Sequence, residues 1–158
     1  MATLTAANAR PSSVVDVNGL RTNQALIVLL VALAFVLGDD NGGPWLVALV
    51  AVSLAVGAAI PGYGPFQIFY RRVLRQAGLV KARPRPDDPA PHRFAQALGA
   101  VFLGTGAVAL FAGATTPGWV LAWLVVALAL VNLLFGFCAG CFAFYQLRRL
   151  TRDGAAAS

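Results

Sequence analysis

Four stretches of this sequence, residues 22–38, 44–60, 94–113 and 117–141, carry no charged side chain, while all 12 Lys and Arg and all 6 acidic residues lie between or beyond them. In a soluble amphipathic element, charges would recur among the apolar residues at helical or strand spacing. Their exclusion means that each run meets an apolar medium on every side, and a bilayer supplies one. The composition agrees, with 59% hydrophobic and 11% charged residues against about half and about a quarter in an average soluble domain. The expected fold is therefore all-α, a single integral membrane domain over residues 1–158 built as a four-helix bundle, with flexible ends at 1–14 and 153–158.

The first two runs hold about 17 residues each, which as helices cover about 25 Å, the lower limit for crossing a hydrocarbon core of about 30 Å. A re-entrant hairpin over 25–60 is their competitor. The last two runs are longer, and the fourth is expected to continue as helix to Arg149. Pro44, Pro61 and Pro117 sit at run boundaries, where a missing N–H costs least. The first run is followed by Gly38-Asp-Asp-Asn41 and not by a small-residue cleavage site, so it reads as a retained span and not as a signal peptide.

The cations set an orientation. Arg10 and Arg21 precede the first run; Arg71, Arg72, Arg75, Lys81, Arg83, Arg85 and Arg93 lie between the second and third; Arg148, Arg149 and Arg152 follow the fourth. The two short links, 39–43 and 114–118, have none. By the positive-inside rule both termini and the long loop face the cytoplasm, as expected for a protein of the bacterial inner membrane. Cations that flank apolar runs find their counter-charge in anionic lipid headgroups, so the net charge of +6 does not imply a nucleic-acid partner.

Within the long loop, residues 66–77 read as an amphipathic helix. Phe66, Phe69, Tyr70, Val73, Leu74 and Ala77 fall on one side, and Gln67, Arg71, Arg72 and Arg75 on the other. Either it lies in the headgroup layer with Arg71, Arg72 and Arg75 towards lipid, or it caps the cytoplasmic mouth of the bundle. The proline-rich segment 81–92 is expected to run extended. Asp87, Asp88 and His92 within it are weak candidates for a metal site and read as a solvated turn, which leaves His92 in a loop.

Chemistry concentrates in the fourth run. On a continuous helix, Asn132, Gly136 and Gly140 form a small-residue stripe suited to close helix packing, while Cys138 and Cys141 share another face with Leu134, Tyr145 and Arg148. A buried Asn132 is read as interhelical glue. Cysteines three apart on a regular helix have Cβ atoms about 5–6 Å apart, beyond the reach of an undistorted disulfide. Near a helix C-terminus the dipole also disfavours a thiolate. Two sulfurs without a nearby His or acidic residue complete no tetrahedral metal site, so none is expected. Inert packing, redox exchange and metal or cluster binding all remain open on spacing alone.

The sequence resembles the DUF4395 family of bacterial membrane proteins through Val15-Asp-Val-Asn-Gly-Leu-Arg21, Pro61-Gly-Tyr-Gly-Pro-Phe66, Pro91-His-Arg-Phe-Ala-Gln96, and Asn132 followed by Gly136-Phe-Cys-Ala-Gly-Cys141. It departs from the family pattern at Asn18, where Arg is more usual, and at Phe142, where a polar residue is. The resemblance implies an association with thioredoxin-like or sulfurtransferase-like proteins, and so favours thiol chemistry at Cys138 and Cys141. In architecture alone the chain is also similar to four-helix quinone-linked thiol enzymes of the vitamin K epoxide reductase type. Those place their Cys-x-x-Cys on the oxidising side, opposite to the side expected here.

Two functions follow. One is a membrane thiol/disulfide or sulfane-sulfur relay with a thioredoxin-like or sulfurtransferase-like cytoplasmic partner. The other is a non-catalytic accessory subunit in a larger membrane complex, with Phe135, Phe137, Phe142 and Phe144 offered to lipid, pigment or protein. A transporter is disfavoured, because the runs hold no acid, base or helix break of the kind that marks a substrate path. No motif identifies a cofactor.

Overall fold

A computed structural model describes residues 14–60, 63–78, 81–86 and 88–155. Pro61 and Asp87, both singled out above, lie outside the described residues, as do residues 1–13. Among the described residues the chain is all-α apart from a two-stranded ribbon. Strand β1 (Val14–Asp16) leads into α1 (Val17–Leu37). Helix α2 (Gly43–Ala59) returns, and α3 (Pro65–Phe69) follows, running into a wider π-helical turn at Tyr70–Leu74. Strand β2 (Pro84–Pro86) pairs antiparallel with β1 and is followed by α4 (Pro89–Phe111), α5 (Thr115–Phe135) and α6 (Ala139–Ala155).

Helices α1, α4 and α5 are long and apolar enough to cross a membrane, and α2 is a shorter apolar helix of 17 residues. Their outward faces are as apolar as their inward ones: Val36 is 81% exposed, Trp45 72% and Phe135 79%. In water such continuous apolar surface would drive association; against lipid it costs nothing. The helices mark the chain as a membrane protein.

Inside, α1, α2, α4 and α5 share one core of small and branched side chains, including Val31, Val47, Leu54, Leu103 and Val126. Small residues bring the backbones together. A Cβ on Gly118 of α5 would lie 2.6 Å from Leu110 Cγ and 3.0 Å from the Gly106 carbonyl of α4, which is the small-residue mode of membrane helix packing.

Two helices begin earlier than their apolar runs. Asp16 caps α1, its Oδ1 accepting the Asn18 N–H at 3.1 Å, and this adds a turn that contains Asn18 and Arg21. Asp88 caps α4 by accepting the Ala90 N–H at 2.9 Å. Pro89 and Pro91 then fall in the first turn, where their missing N–H groups have no intrahelical partner to lose. His92 is consequently helical, and its assignment to a loop is corrected. One turn after the cap, Arg93 donates to the carbonyls of Ala58 (2.9 Å) and Ala59 (3.3 Å) at the end of α2.

The largest correction is in the fourth run, which is not one helix to residue 141. Helix α5 stops at Gly136, whose φ of 67° is left-handed and whose N–H bonds the Asn132 carbonyl at 2.9 Å, a glycine helix stop. Residues 136–138 leave the helix, and α6 begins at Ala139 with a strongly amphipathic sequence. Gly136 and Gly140 therefore do not share a helix face, and a Cβ on Gly136 would meet nothing within 4 Å.

The loop helix differs in detail from the expected stripe. Tyr70 is buried and Phe66 packs against the core, whereas Ile68, Phe69 and Val73 are exposed. The inward pair is spaced i, i+4, and the exposed apolar residues share the outer surface with Arg71, Arg72 and Arg75.

Candidate functional site

The break at Gly136 turns the cysteine pair from a helix interior into a helix start. Cys138 occupies the N-cap of α6. Its carbonyl accepts the Phe142 N–H at 3.0 Å, and its Sγ accepts the Cys141 N–H at 3.2 Å. An N-cap side chain that satisfies the N3 donor is normally a Ser, Thr, Asp or Asn oxygen; here a sulfur takes that place. Cys138 lies outside the regular helix, its side chain free of the helical direction, and the two sulfurs are joined as a disulfide with Cα atoms 5.1 Å apart. The distortion expected of a pair on one helix is not required.

The electrostatics reverse with the position. Unpaired N–H groups at a helix start carry partial positive charge and favour an anion, so a sulfur there is stabilised as thiolate. The expectation of a C-terminal dipole opposing ionisation is overturned.

Helix α6 lies against the start of α4. A Cβ on Gly140 would come within 2.6 Å of Ala95 Cβ and 2.9 Å of Ala95 Cα, and Phe144 packs on Phe94 with ring centroids 5.5 Å apart. Ala95 is one turn beyond His92, and Gly140 immediately precedes Cys141. The close approach at one pair therefore fixes the other, with His92 Nδ1 3.6 Å from Cys141 Sγ. The ligand atoms of His92, Cys138 and Cys141 all lie within 4.8 Å of one another, and all three residues are half-buried. A histidine within reach of both sulfurs removes the premise on which a metal was discounted.

Two cavities meet at this histidine. One, of about 90 Å³, is lined by Asn23, Gln24, Gln96 and Asn132 together with apolar residues of α1, α4 and α5, and it reaches Cys138 and Gly140. The other, of about 390 Å³, is lined by Asp16, Tyr70, Arg71, Arg75 and Arg93. His92, Gln96 and Asn23 form part of both walls. Arg72, grouped with Arg71 and Arg75 from the sequence, is exposed and does not line either.

The wall of the larger cavity is organised by Asp16. Besides capping α1, its carboxylate accepts the Tyr70 O–H at 2.9 Å and the Arg83 N–H at 3.0 Å. Burial raises its pKa, but the hydrogen bonds from Arg83, Tyr70, Gly19 and Asn18 outweigh that and hold it below its ordinary value. Tyr70 moves up, through burial and then through its bond to, and the charge of, Asp16, with Arg75 opposing. Asn18 Nδ2 donates to the Lys81 carbonyl at 2.7 Å, and Val17 N–H to the Arg83 carbonyl at 3.1 Å. The N-terminal segment, the loop helix and the proline-rich ribbon are thus tied to one carboxylate.

A family model described as a domain of unknown function, DUF4395, matches residues 15–149. The chain belongs to the DUF4395 family. Comparisons with curated proteins and with solved structures give no match. The matched stretch of this DUF4395 chain begins at the Asp16 cap and includes His92 and both cysteines, so the whole site lies within it.

Sequence reasoning named Cys138 and Cys141, set His92 aside as part of a solvated turn, and missed Asp16 and Tyr70 as site residues. Asp16 was available as an N-cap signal directly before an apolar run, and Asp88 before two prolines likewise. The contacts that assemble the site, His92 with Cys141 and Asp16 with Tyr70 and Arg83, span sequence separations of 49 to 67 residues, which no local pattern reports.

Proposed function

We propose that this protein is a thiol/disulfide relay of the bacterial inner membrane, a four-helix bundle with both termini, the loop helix and the Cys-x-x-Cys on the cytoplasmic side. The single observation that carries the reading is Cys138 at the N-cap of α6 with its partner Cys141 3.6 Å from an imidazole nitrogen. The sidedness rests on the Arg and Lys distribution.

In the exchange, a thiolate of a thioredoxin-like dithiol attacks Cys138 Sγ, the S–S bond breaks, and Cys141 leaves as a thiolate that His92 can protonate. The partner's second thiolate then attacks the mixed disulfide and releases Cys138, whose thiolate faces the helix N-terminus. Two electrons and two protons pass from the partner dithiol to the pair, leaving a partner disulfide. With a sulfurtransferase-like persulfide as donor, the Cys138 thiolate takes the sulfane sulfur and the donor leaves as a thiol. Attack by Cys141 on the resulting persulfide re-forms the disulfide and releases hydrogen sulfide.

The test is thiol trapping in intact cells, with Cys138→Ser and Cys141→Ser at unchanged membrane abundance. The relay predicts a reversible shift between protected and alkylated thiols, and a mixed disulfide with a thioredoxin-like protein in the Cys141→Ser variant. A pair whose alkylation never changes with the redox state of the cell would sink it. Labelling with a membrane-impermeant maleimide tests the side: reaction in inverted vesicles but not in intact spheroplasts is expected.

The second reading, an accessory subunit, is favoured by one feature, the exposed aromatic surface of Phe135, Phe137 and Phe142 beside the site. Phe144 leaves that group because it packs on Phe94. A stable monomer with no co-purifying protein after gentle solubilisation would remove that reading.

A further inference from the structure

We infer that the reduced pair, Cys138 and Cys141, forms with His92 Nδ1 a three-ligand site for Zn²⁺ whose fourth position opens to the small cavity that Cys138 and His92 line. In tetrahedral zinc, bonds of about 2.3 Å to sulfur and about 2.0–2.1 Å to nitrogen put the two ligand atoms about 3.6 Å apart. His92 Nδ1 and Cys141 Sγ are 3.6 Å apart already, and both sulfurs lie within 4.8 Å of a ring nitrogen of His92. Breaking the S–S bond lets the sulfurs separate to the roughly 3.8 Å that two thiolates on one zinc require. The backbone does not have to move for this, since Cys138 is held outside the helix by Gly136 and Cys141 is held against His92 by the Gly140–Ala95 contact.

Charge selects a divalent ion. Two thiolates in a half-buried site bordered by apolar helices are costly to hold unpaired. Zn²⁺ with two thiolates and a neutral imidazole is electrically neutral, whereas a monovalent thiophilic cation would leave one negative charge. The donor set, two sulfurs and one imidazole, suits zinc, and three protein ligands leave a position for water or a substrate sulfur. Asn132 and Gln96, in the cavity wall, are the polar groups nearest in kind to hold such a ligand. The site does not depend on the exchange chemistry proposed above; it requires only that the disulfide can be opened.

The experiment uses the full chain in lipid nanodiscs. A water-soluble phosphine opens the disulfide, taking up one oxygen from water as two thiols form, and does not itself exchange as a thiol. Free thiols are counted before metal is added. Co²⁺ is then titrated in as a visible probe for the site and displaced with Zn²⁺. The expected result is one equivalent of Co²⁺ with tetrahedral visible bands and sulfur-to-cobalt charge transfer, displaced by Zn²⁺, and protection of both thiols from alkylation in the zinc form. Loss of outer-shell partners of a metal ligand costs about 10–100-fold in affinity, so His92→Ala should weaken binding by about 100-fold or more. Cys138→Ser should also halve the charge-transfer intensity. The wild-type spectrum and thiol protection keep the test decisive if a variant misfolds. Two free thiols with no charge-transfer band, equal affinity in a folded His92→Ala variant, or equal binding by the oxidised protein would each overturn the site. Failure of the relay shows separately, as a thiol count that does not respond to a dithiol buffer although the phosphine opens the bond.

Discussion

The two ends of the packed helices are built from different chemistry. At one end the links 38–42 and 112–114 are short, and aromatic side chains close the surface. Phe35 meets Trp119 and Trp123 edge-on, Trp45 meets Phe111, and Trp119 Nε1 donates to Asp39 at 3.0 Å. Rings with one polar tip suit a membrane–water boundary. At the other end lie the ribbon, the loop helix, α6, Arg71, Arg75 and Arg93, the Asp16 network, His92, the disulfide and both cavities. Among the described residues, the same four helices thus have one end closed by aromatic rings and another that holds the disulfide, His92 and both cavities.

The sharpest way to break that comparison is at the sulfurs. Cys138→Ser or Cys141→Ser should abolish dithiol exchange, a loss of more than about 100-fold in rate, since a hydroxyl cannot replace a sulfur in thiol–disulfide exchange. Stopped-flow oxidation of a dithiol probe by the protein measures it, and a wild-type rate no higher than that of either variant, in which no intramolecular disulfide can form, would remove the pair from the chemistry. Next in size is Gly140→Val. Its Cβ would overlap Ala95 of α4, and overpacking of this kind costs about 1–3 kcal/mol. The variant should unfold at a lower temperature in detergent, and His92 should separate from Cys141. The same substitution at Gly136 meets no neighbour but opposes a left-handed backbone, which costs roughly 1–2 kcal/mol. If Gly140→Val proved the milder of the two, the α4–α6 contact would not be what holds the site.

The two ends also differed in how far the sequence disclosed them. The apolar helices were legible because charge is absent from the runs and prolines mark their limits. The break at Gly136 was not, since apolar residues continue through Phe137, Cys138 and Phe142, and a glycine that stops a helix reads the same as one that packs two helices. Only its backbone conformation separates the cases. His92 was hidden by Pro89 and Pro91, which signal extended chain when read as a series but are admissible in a first helical turn. The reach of Asp16 to Tyr70 and Arg83 is non-local, and its visible part was the cap alone.

Asp16→Ala probes the reactive end without touching a sulfur. Losing an N-cap costs typically about 1 kcal/mol, up to about 2, and here it also leaves the Tyr70 hydroxyl without its acceptor. The ribbon should loosen first, read as faster hydrogen exchange at the Val17 and Arg83 amides. The pH dependence has a definite sign. The carboxylate is held below its ordinary value of 3.8, so its contribution is complete above that pH and is lost as pH falls through the lower folded value. Tyr70 is raised above 10.0, so its contribution is complete below that pH and is lost as pH rises through the folded value. Ribbon protection should therefore hold across neutral pH and fail at both extremes. Protection that declined already at neutral pH would show that the Asp16–Tyr70 pair is not what holds the ribbon.

The smallest effect belongs to the closed end. Trp119→Phe removes the Nε1 donor to Asp39 while keeping a ring against Phe35. A neutral indole donor to an exposed carboxylate contributes at most about 1 kcal/mol net, so thermal stability should fall slightly. The exchange rate and the affinity for Co²⁺ should stay unchanged, because Trp119 is near the start of α5, at the far end of the helices from His92 at the start of the antiparallel α4 and from the cysteines that follow α5. That asymmetry gives the comparison its most demanding test. A reactive end that depended on the aromatic closure would have to receive the change along α5 and across the stop at Gly136, where the backbone hydrogen-bond ladder is interrupted, or through α4, which packs on α5 and carries His92. An altered rate in Trp119→Phe would mean that α4, or α5 and α6 moving as one body despite that stop, couples the two ends.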